Sequence, residues 1–132
     1  MKPKRLHHVG IIMPSMDRAE EFLERFELEE DYTEFVQDYQ AYCLFTKFGE
    51  QECPIELVIP IGGVLADFNK GKGGLHHIAF EVEDVAETKE LYEEKGFMML
   101  EDIPVNGAGG ILVNFLRPRF GLGVLVEFVE KK

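Results

Sequence analysis

Two histidine doublets stand 69 residues apart in this chain, in Leu6-His7-His8-Val9-Gly10-Ile11-Ile12-Met13 and in Leu75-His76-His77-Ile78-Ala79-Phe80-Glu81-Val82. Two glutamates sit inside short apolar runs 71 residues apart, Ile55-Glu56-Leu57-Val58 and Val126-Glu127-Phe128-Val129. A carboxylate in an apolar strand is costly to bury unless its face is wet or a cation meets it. Two imidazoles and two carboxylates are donors suited to one borderline divalent ion such as zinc, cobalt, manganese, nickel or iron. On an ion that prefers six ligands, four protein donors leave two neighbouring positions for water or substrate. Taken singly, each of the four has a plainer explanation: a strand histidine satisfied by hydrogen bonds, or a strand glutamate facing solvent. Only the matched pairing of His with Glu in both halves makes them a candidate centre.

The elements that carry these residues follow from period. On a strand, successive side chains point to opposite faces. His76, Ile78, Phe80 and Val82 share one bulky apolar face, fit to pack under a helix. Leu75, His77, Ala79 and Glu81 share the other, which places an imidazole beside a small residue and a carboxylate. The same parity groups His8 with Leu6, Gly10 and Ile12, and His7 with Val9, Ile11 and Met13. Either member of each doublet has the chemistry of a ligand; parity favours His8 and His77, each followed two residues on by a small residue, Gly10 or Ala79.

Pro14 ends the first strand and Ser15 is a helix cap, after which Met16, Ala19, Phe22, Leu23 and Phe26 recur at helical spacing. Glu29-Glu30-Asp31 reads as a solvated turn. Residues 32–48 hold one or two strands, residues 49–52 turn the chain, and residues 54–60 form a strand bounded by prolines. Residues 61–74 are a connector with a short helix around Val64, Leu65 and Phe68 and a glycine-rich end. In the second half, Asp84 with Glu87 makes a near capping box. Val85, Leu91 and Tyr92 give the inner helical face, and Gly96 stops the helix. Residues 97–100 read as a short strand, 105–110 as a turn, and 111–116 and 124–129 as the last two strands. Each half is thus strand, helix, then two or three strands, an α+β pattern repeated. The expected organisation is a single domain over 1–132, with modules at about 4–60 and 75–130.

A net charge of −11 over 132 residues argues against nucleic acid and anionic membranes as partners. Two cysteines, Cys43 and Cys53, make no disulfide framework. With no signal peptide or transmembrane run in view, the expectation is a cytoplasmic protein.

With these segments in hand, the chain resembles the vicinal oxygen chelate superfamily, which includes glyoxalases, bleomycin-resistance proteins and extradiol dioxygenases. Its nearest likeness there is to the methylmalonyl-CoA epimerases. The resemblance lies in His7-His8-Val9-Gly10-Ile11, Ile55-Glu56-Leu57, Leu65-Ala66-Asp67-Phe68, Gly73-Gly74-Leu75-His76-His77-Ile78-Ala79, and the stretch from Val113 through Arg117-Pro118 to Glu127. It implies two βαβββ modules forming a cup-shaped mixed sheet, with helices on the outer face. It implies metal ligands at His8, Glu56, His77 and Glu127, and a homodimer.

The implied chemistry is chelation of two adjacent substrate oxygens and stabilisation of the enolate left when an α-proton departs. The substrate would be a thioester or a hemithioacetal. Epimerases of the family can carry a further acid on the strand corresponding to 41–48, where this chain has none, so Glu56 and Glu127 are the candidate catalytic bases. A coenzyme A tail would need cations, for which Lys70, Lys72, Arg117 and Arg119 are the candidates; the family often has His where Arg117 stands. The alternative enzyme is a lactoylglutathione lyase (glyoxalase I), with the same ligands. From another class, the alternative is a metal-free binding or resistance protein, against which the full ligand set argues. An extradiol dioxygenase needs only two His and one Glu, so a fourth ligand argues against it.

Overall fold

Pro14 ends the first strand, β1 (Arg5–Ile12), because its ring leaves no N–H for a ladder. Ser15 then caps helix α1 (Met16–Arg25) from an extended conformation, its Oγ accepting the amide of Arg18 at 3.2 Å. The structure is a computed structural model in which residues 2–49 and 52–132 are described. Two units divide the chain: residues 9–76, and residues 77–132 together with the chain up to His8.

In the unit of residues 9–76, the last four residues of β1 pair in parallel with β4 (Ile55–Pro60). Strand β4 runs antiparallel to β3 (Ala41–Thr46), and β3 antiparallel to β2 (Glu30–Val36), giving the order β2-β3-β4-β1. Helix α1 covers one face, where Ala19, Phe22 and Leu23 pack on Ile11, Leu44, Leu57 and Ile59. On the opposite parity, Ile12, Ala41 and Val58 are covered by Tyr39 and by Leu65 and Phe68 of the connector. That connector contains α2 (Gly63–Ala66) and a 3-10 turn at Phe68–Gly71. It ends at Gly73, whose φ is +73° and where a Cβ would collide with the carbonyl oxygen of Ile12, so only glycine fits.

Two expectations change here. Glu30 and Asp31 open β2 instead of forming a turn, with a register shift between Glu30 and Tyr32. At a sheet edge, charged side chains point to water and protect the unpaired rim. The expected turn at 49–52 includes Glu50 and Gln51, which lie outside the described residues. Its flanks are joined by the Glu52 N–H to the Gly49 carbonyl at 3.1 Å and by the Gly49 N–H to the Glu52 carboxylate at 2.8 Å.

The second unit repeats the plan. Strand β5 (Gly74–Glu81) pairs in parallel with β8 (Val126–Lys131). Strand β8 runs antiparallel to β7 (Ile111–Phe115), and β7 to the short β6 (Val105–Asn106). The order β6-β7-β8-β5 matches β2-β3-β4-β1 strand for strand. The start of β1 runs beside the far end of β5, where the Lys4 N–H donates to the Glu81 carbonyl at 2.8 Å. Asp84 caps helix α3 (Val85–Glu94) by accepting the Glu87 amide at 3.0 Å. Val82, Val85, Met99, Leu116 and Phe128 form this unit's core, with Phe80 and Tyr92 packed against it.

The strand expected at 97–100 shrinks to a single bridge, Met99 to Leu116, and the expected turn at 105–110 opens with β6. Beyond Leu100 the Glu101 carboxylate, not a backbone carbonyl, accepts the Phe115 N–H at 2.8 Å, so the ladder stops there. The architecture is α+β, two βαβββ units each with a helix on one sheet face. No helix among the described residues is long and apolar enough to cross a membrane.

Candidate metal centre

Three of the four expected donors meet in the second unit. His8 Nε2 lies 3.0 Å from Glu127 Oε1 and 3.1 Å from His77 Nε2, and His77 Nε2 lies 3.3 Å from the same Glu127 oxygen. All three residues are buried, at 1, 6 and 4 % exposure for His8, His77 and Glu127. Register brings them to one face. Ala79 is the cross-strand partner of Glu127, and His77 precedes Ala79 by two residues on β5. The small residue after the histidine leaves room for the neighbouring strand's carboxylate. On β5, His77, Ala79 and Glu81 form the fully buried face, and His76, Ile78 and Phe80 are half-buried.

The donor set fits one divalent ion. Glu127 Oε1 is sealed from solvent and left unsatisfied, facing the two ring nitrogens. Donors bound at about 2.0–2.2 Å to such an ion stand roughly 2.9–3.5 Å apart, according to the angle between them. The three separations fall in that span. Burial alone would push the Glu127 carboxyl up; the pull of His77 and His8 outweighs it and holds the group below its ordinary value. Glu127 is therefore an anion, as a ligand must be.

The surroundings of the triangle hold two contacts that strand periodicity does not announce. His7 Nδ1 sits 2.7 Å from His8 Nδ1, with the rings 79° apart, although neighbours on a strand nominally face opposite ways. Nδ1 is close to the main chain, so two successive rings can meet there where two outer ring atoms could not. Burial, then His8 and Arg5, push the His7 pKa down to about 4. Phe115, paired with Glu127 across β7 and β8, sets its edge against His77 at 5.2 Å. The signal for Phe115 was its own repeat partner: Phe45 pairs with Glu56 in the same way.

Glu56 belongs to the unit of residues 9–76. It is buried at 8 % exposure on β4, between Gly10 of β1 and Phe45 of β3. Tyr32 stacks on Phe45 at 5.1 Å, and its phenol is raised to about 12, first by burial and next by Glu56. His76 also lies in this unit, against Phe68 at 5.0 Å.

The four expected substrate cations are all exposed. Lys70 lies in the 3-10 turn at φ +58°. Lys72 and Arg18 flank a cleft of about 390 Å³ with Met13 and Pro14. Arg117 is anchored by its Nε, which donates to the Met99 carbonyl at 3.1 Å. Arg119 lies over Phe120 and lines a cavity of about 420 Å³ with Phe80, Tyr92 and Phe128, on the opposite parity of that sheet from Glu127.

Residues 7–115 match the Glyoxalase/Bleomycin resistance protein/Dioxygenase superfamily. The chain is 32% identical to the ethylmalonyl-CoA/methylmalonyl-CoA epimerase of Cereibacter sphaeroides, over 96% of this chain and 97% of that one. It is 34% identical to the mitochondrial methylmalonyl-CoA epimerase of Homo sapiens, over 96% of this chain and 73% of that protein. Among solved structures, a variant of Streptomyces coelicolor methylmalonyl-CoA epimerase in complex with 2-nitronate-propionyl-CoA is similar with a TM-score of 0.87. The identity there is 27%, over 98% of this chain and 99% of that one.

Proposed function

Since the chain belongs to the Glyoxalase/Bleomycin resistance protein/Dioxygenase superfamily, we propose that it is a metal-dependent epimerase acting on a methylmalonyl-CoA-type thioester. The observation that carries this reading is the buried triangle of His8, His77 and Glu127, in a chain whose relatives bear the epimerase name. Glu56 completes the ligand set. Its support is internal: on β4 it has the place Glu127 has on β8, beside a small residue on the parallel strand and a phenylalanine on the antiparallel one.

His8, His77 and Glu127, with Glu56, would hold a divalent ion, which would supply charge stabilisation for the thioester oxygen as the α-proton leaves. The carboxylate that accepts this proton is Glu56 or Glu127. Glu56 is our choice: it would loosen from the ion to take the proton, whereas Glu127 is fixed between two imidazoles and serves as the anchor. The α C–H bond breaks toward the carboxylate oxygen, the carbon flattens, and a proton taken from solvent water on the opposite face inverts the centre, the carboxylic acid then giving its proton back to solvent. Lys70, Lys72, Arg117 and Arg119 are assigned to the tail phosphates; Arg119, on the parity away from Glu127, is the one whose loss costs least. We place the enzyme in the cytoplasm as a homodimer. A content of only two cysteines supports the first assignment, and exposed apolar residues such as Leu122, at 96 % exposure, support the second. Sedimentation at micromolar concentration tests the dimer.

The decisive experiment purifies the protein without chelator, measures bound metal, and incubates it with methylmalonyl-CoA in heavy water. About one ion per chain and deuterium at the α-carbon are expected. Turnover of methylglyoxal with glutathione and no α-deuteration would replace the epimerase by a lactoylglutathione lyase. Metal-free protein inert toward both substrates would leave a binding module.

A further inference from the structure

We infer that His7 is a positioning residue, which fixes the tautomer and the ring rotation of His8 so that His8 Nε2 is bare toward His77 and Glu127. This rests on the reading of His8 as a metal donor.

Two ring nitrogens 2.7 Å apart share one hydrogen: one must donate and the other accept. A neutral imidazole carries a single N–H, so the position of the proton on one nitrogen decides the other. His8 Nε2 is the atom that faces Glu127 Oε1 at 3.0 Å and His77 Nε2 at 3.1 Å, and it can serve as a metal donor only without a proton. The His8 proton therefore sits on Nδ1 and is given to His7. It follows that His7 Nδ1 accepts, and that His7 carries its own proton on Nε2.

Metal-binding histidines as a rule give their second N–H to a carboxylate, a backbone carbonyl or water, and losing that partner costs about 10–100-fold in affinity. Here a second imidazole, from the adjacent residue of the same strand, takes that role. The near-perpendicular rings, 79° apart, also oppose rotation of His8 about its Cβ–Cγ bond. The second doublet is built differently: His76 turns to Phe68, and His77 has the edge of Phe115 against it. The repeated His-His motif thus sits among different neighbours in its two copies.

Nitrogen-15 NMR of the zinc-loaded protein, in which an ion and not a proton meets His8 Nε2, reads the tautomers directly. The expected result is a proton on Nδ1 of His8 and on Nε2 of His7; a protonated His8 Nε2, or His7 donating from Nδ1, overturns the inference. Cobalt(II) affinity, measured by chelator competition, supplies the second readout. His7→Asn keeps an acceptor oxygen at the same remove from the main chain and should stay within about threefold of wild type, whereas His7→Phe should lose about 10–100-fold. Equal affinities in wild type and His7→Phe would also overturn it. Circular dichroism shows whether each variant folds; if His7→Phe does not, the tautomers and His7→Asn still decide. Wild-type protein that binds neither zinc nor cobalt would instead remove the metal centre, and with it the purpose assigned to His7.

Discussion

The two units share a ladder and differ in what surrounds it. In one, Glu56 lies between Gly10 and Phe45; in the other, Glu127 lies between Ala79 and Phe115. Yet Phe45 stacks on Tyr32, whereas Phe115 presents its edge to His77. Glu56 adds its charge to the burial of a phenol, and Glu127 faces two imidazoles. The helix-side cores differ as well. The unit of residues 9–76 packs mainly aliphatic side chains, whereas the other is rich in aromatic rings and holds a cavity of about 420 Å³. Pairing register is shared because a one-residue slip would turn every inward side chain outward. The neighbours are under no such constraint, which leaves room for the different tasks proposed for the two glutamates.

The sharpest way to break this comparison is to neutralise each carboxylate in turn. Glu127→Gln and Glu56→Gln should both lower activity by about 10²–10⁴-fold. Bound metal should separate them, with Glu127→Gln purified nearly empty and Glu56→Gln retaining its ion. Equal metal contents would erase the distinction between anchor and base. Next in size is the core. Leu57→Ala, fully buried beneath α1, should cost about 2–5 kcal/mol in denaturant unfolding while the His77 resonances stay in place. Shifts at His77 would mean that the first unit's packing reaches the centre.

The helix caps offer a smaller, matched pair. Ser15→Ala and Asp84→Ala each remove one bond to a helix amide and should cost about 1 kcal/mol apiece. A difference of more than twofold between them would show that the repeats rely unequally on their helices. The smallest effect is spectroscopic. With its phenol raised to about 12, Tyr32 gives its full stabilisation below the ordinary tyrosine value, near pH 10, and loses it as pH rises through 12. Ultraviolet titration of the phenolate should find that late midpoint, and Glu56→Gln should bring it down; an unmoved midpoint would take Glu56 away from the ring.

Much of this was legible from residue types, because the signals were local and chemical. Pro14, Ser15, Asp84 and Gly96 mark their boundaries by what their own atoms can or cannot do, and each stands where those atoms predict. Alternation along β5 likewise groups His77, Ala79 and Glu81 on one face, although that face, and not the bulky apolar one, is the better buried. What escaped depends on atoms distant in the chain or on exceptions to alternation. Glu101 halts a ladder by substituting its side chain for a carbonyl of the main chain, which no pattern around residues 97–101 reveals. Glu30 and Asp31 look like a turn but pair at an edge, where charge is tolerated. The meeting of His7 with His8 runs against the rule of alternation itself. Exposed cations such as Lys70 and Arg119 carry no periodic signal, so nothing local says which surface they serve.

The division of β1 has a consequence for synthesis. Its first half, ending at His8, goes with residues 77–132, and its second half, from Val9, goes with the rest. One histidine of the triangle is therefore made at the head of the chain, and Glu127 almost at its tail. The triangle stays open on the ribosome until nearly the whole polypeptide has been made, and a chain cut short before Glu127 would carry both imidazoles and no anchor.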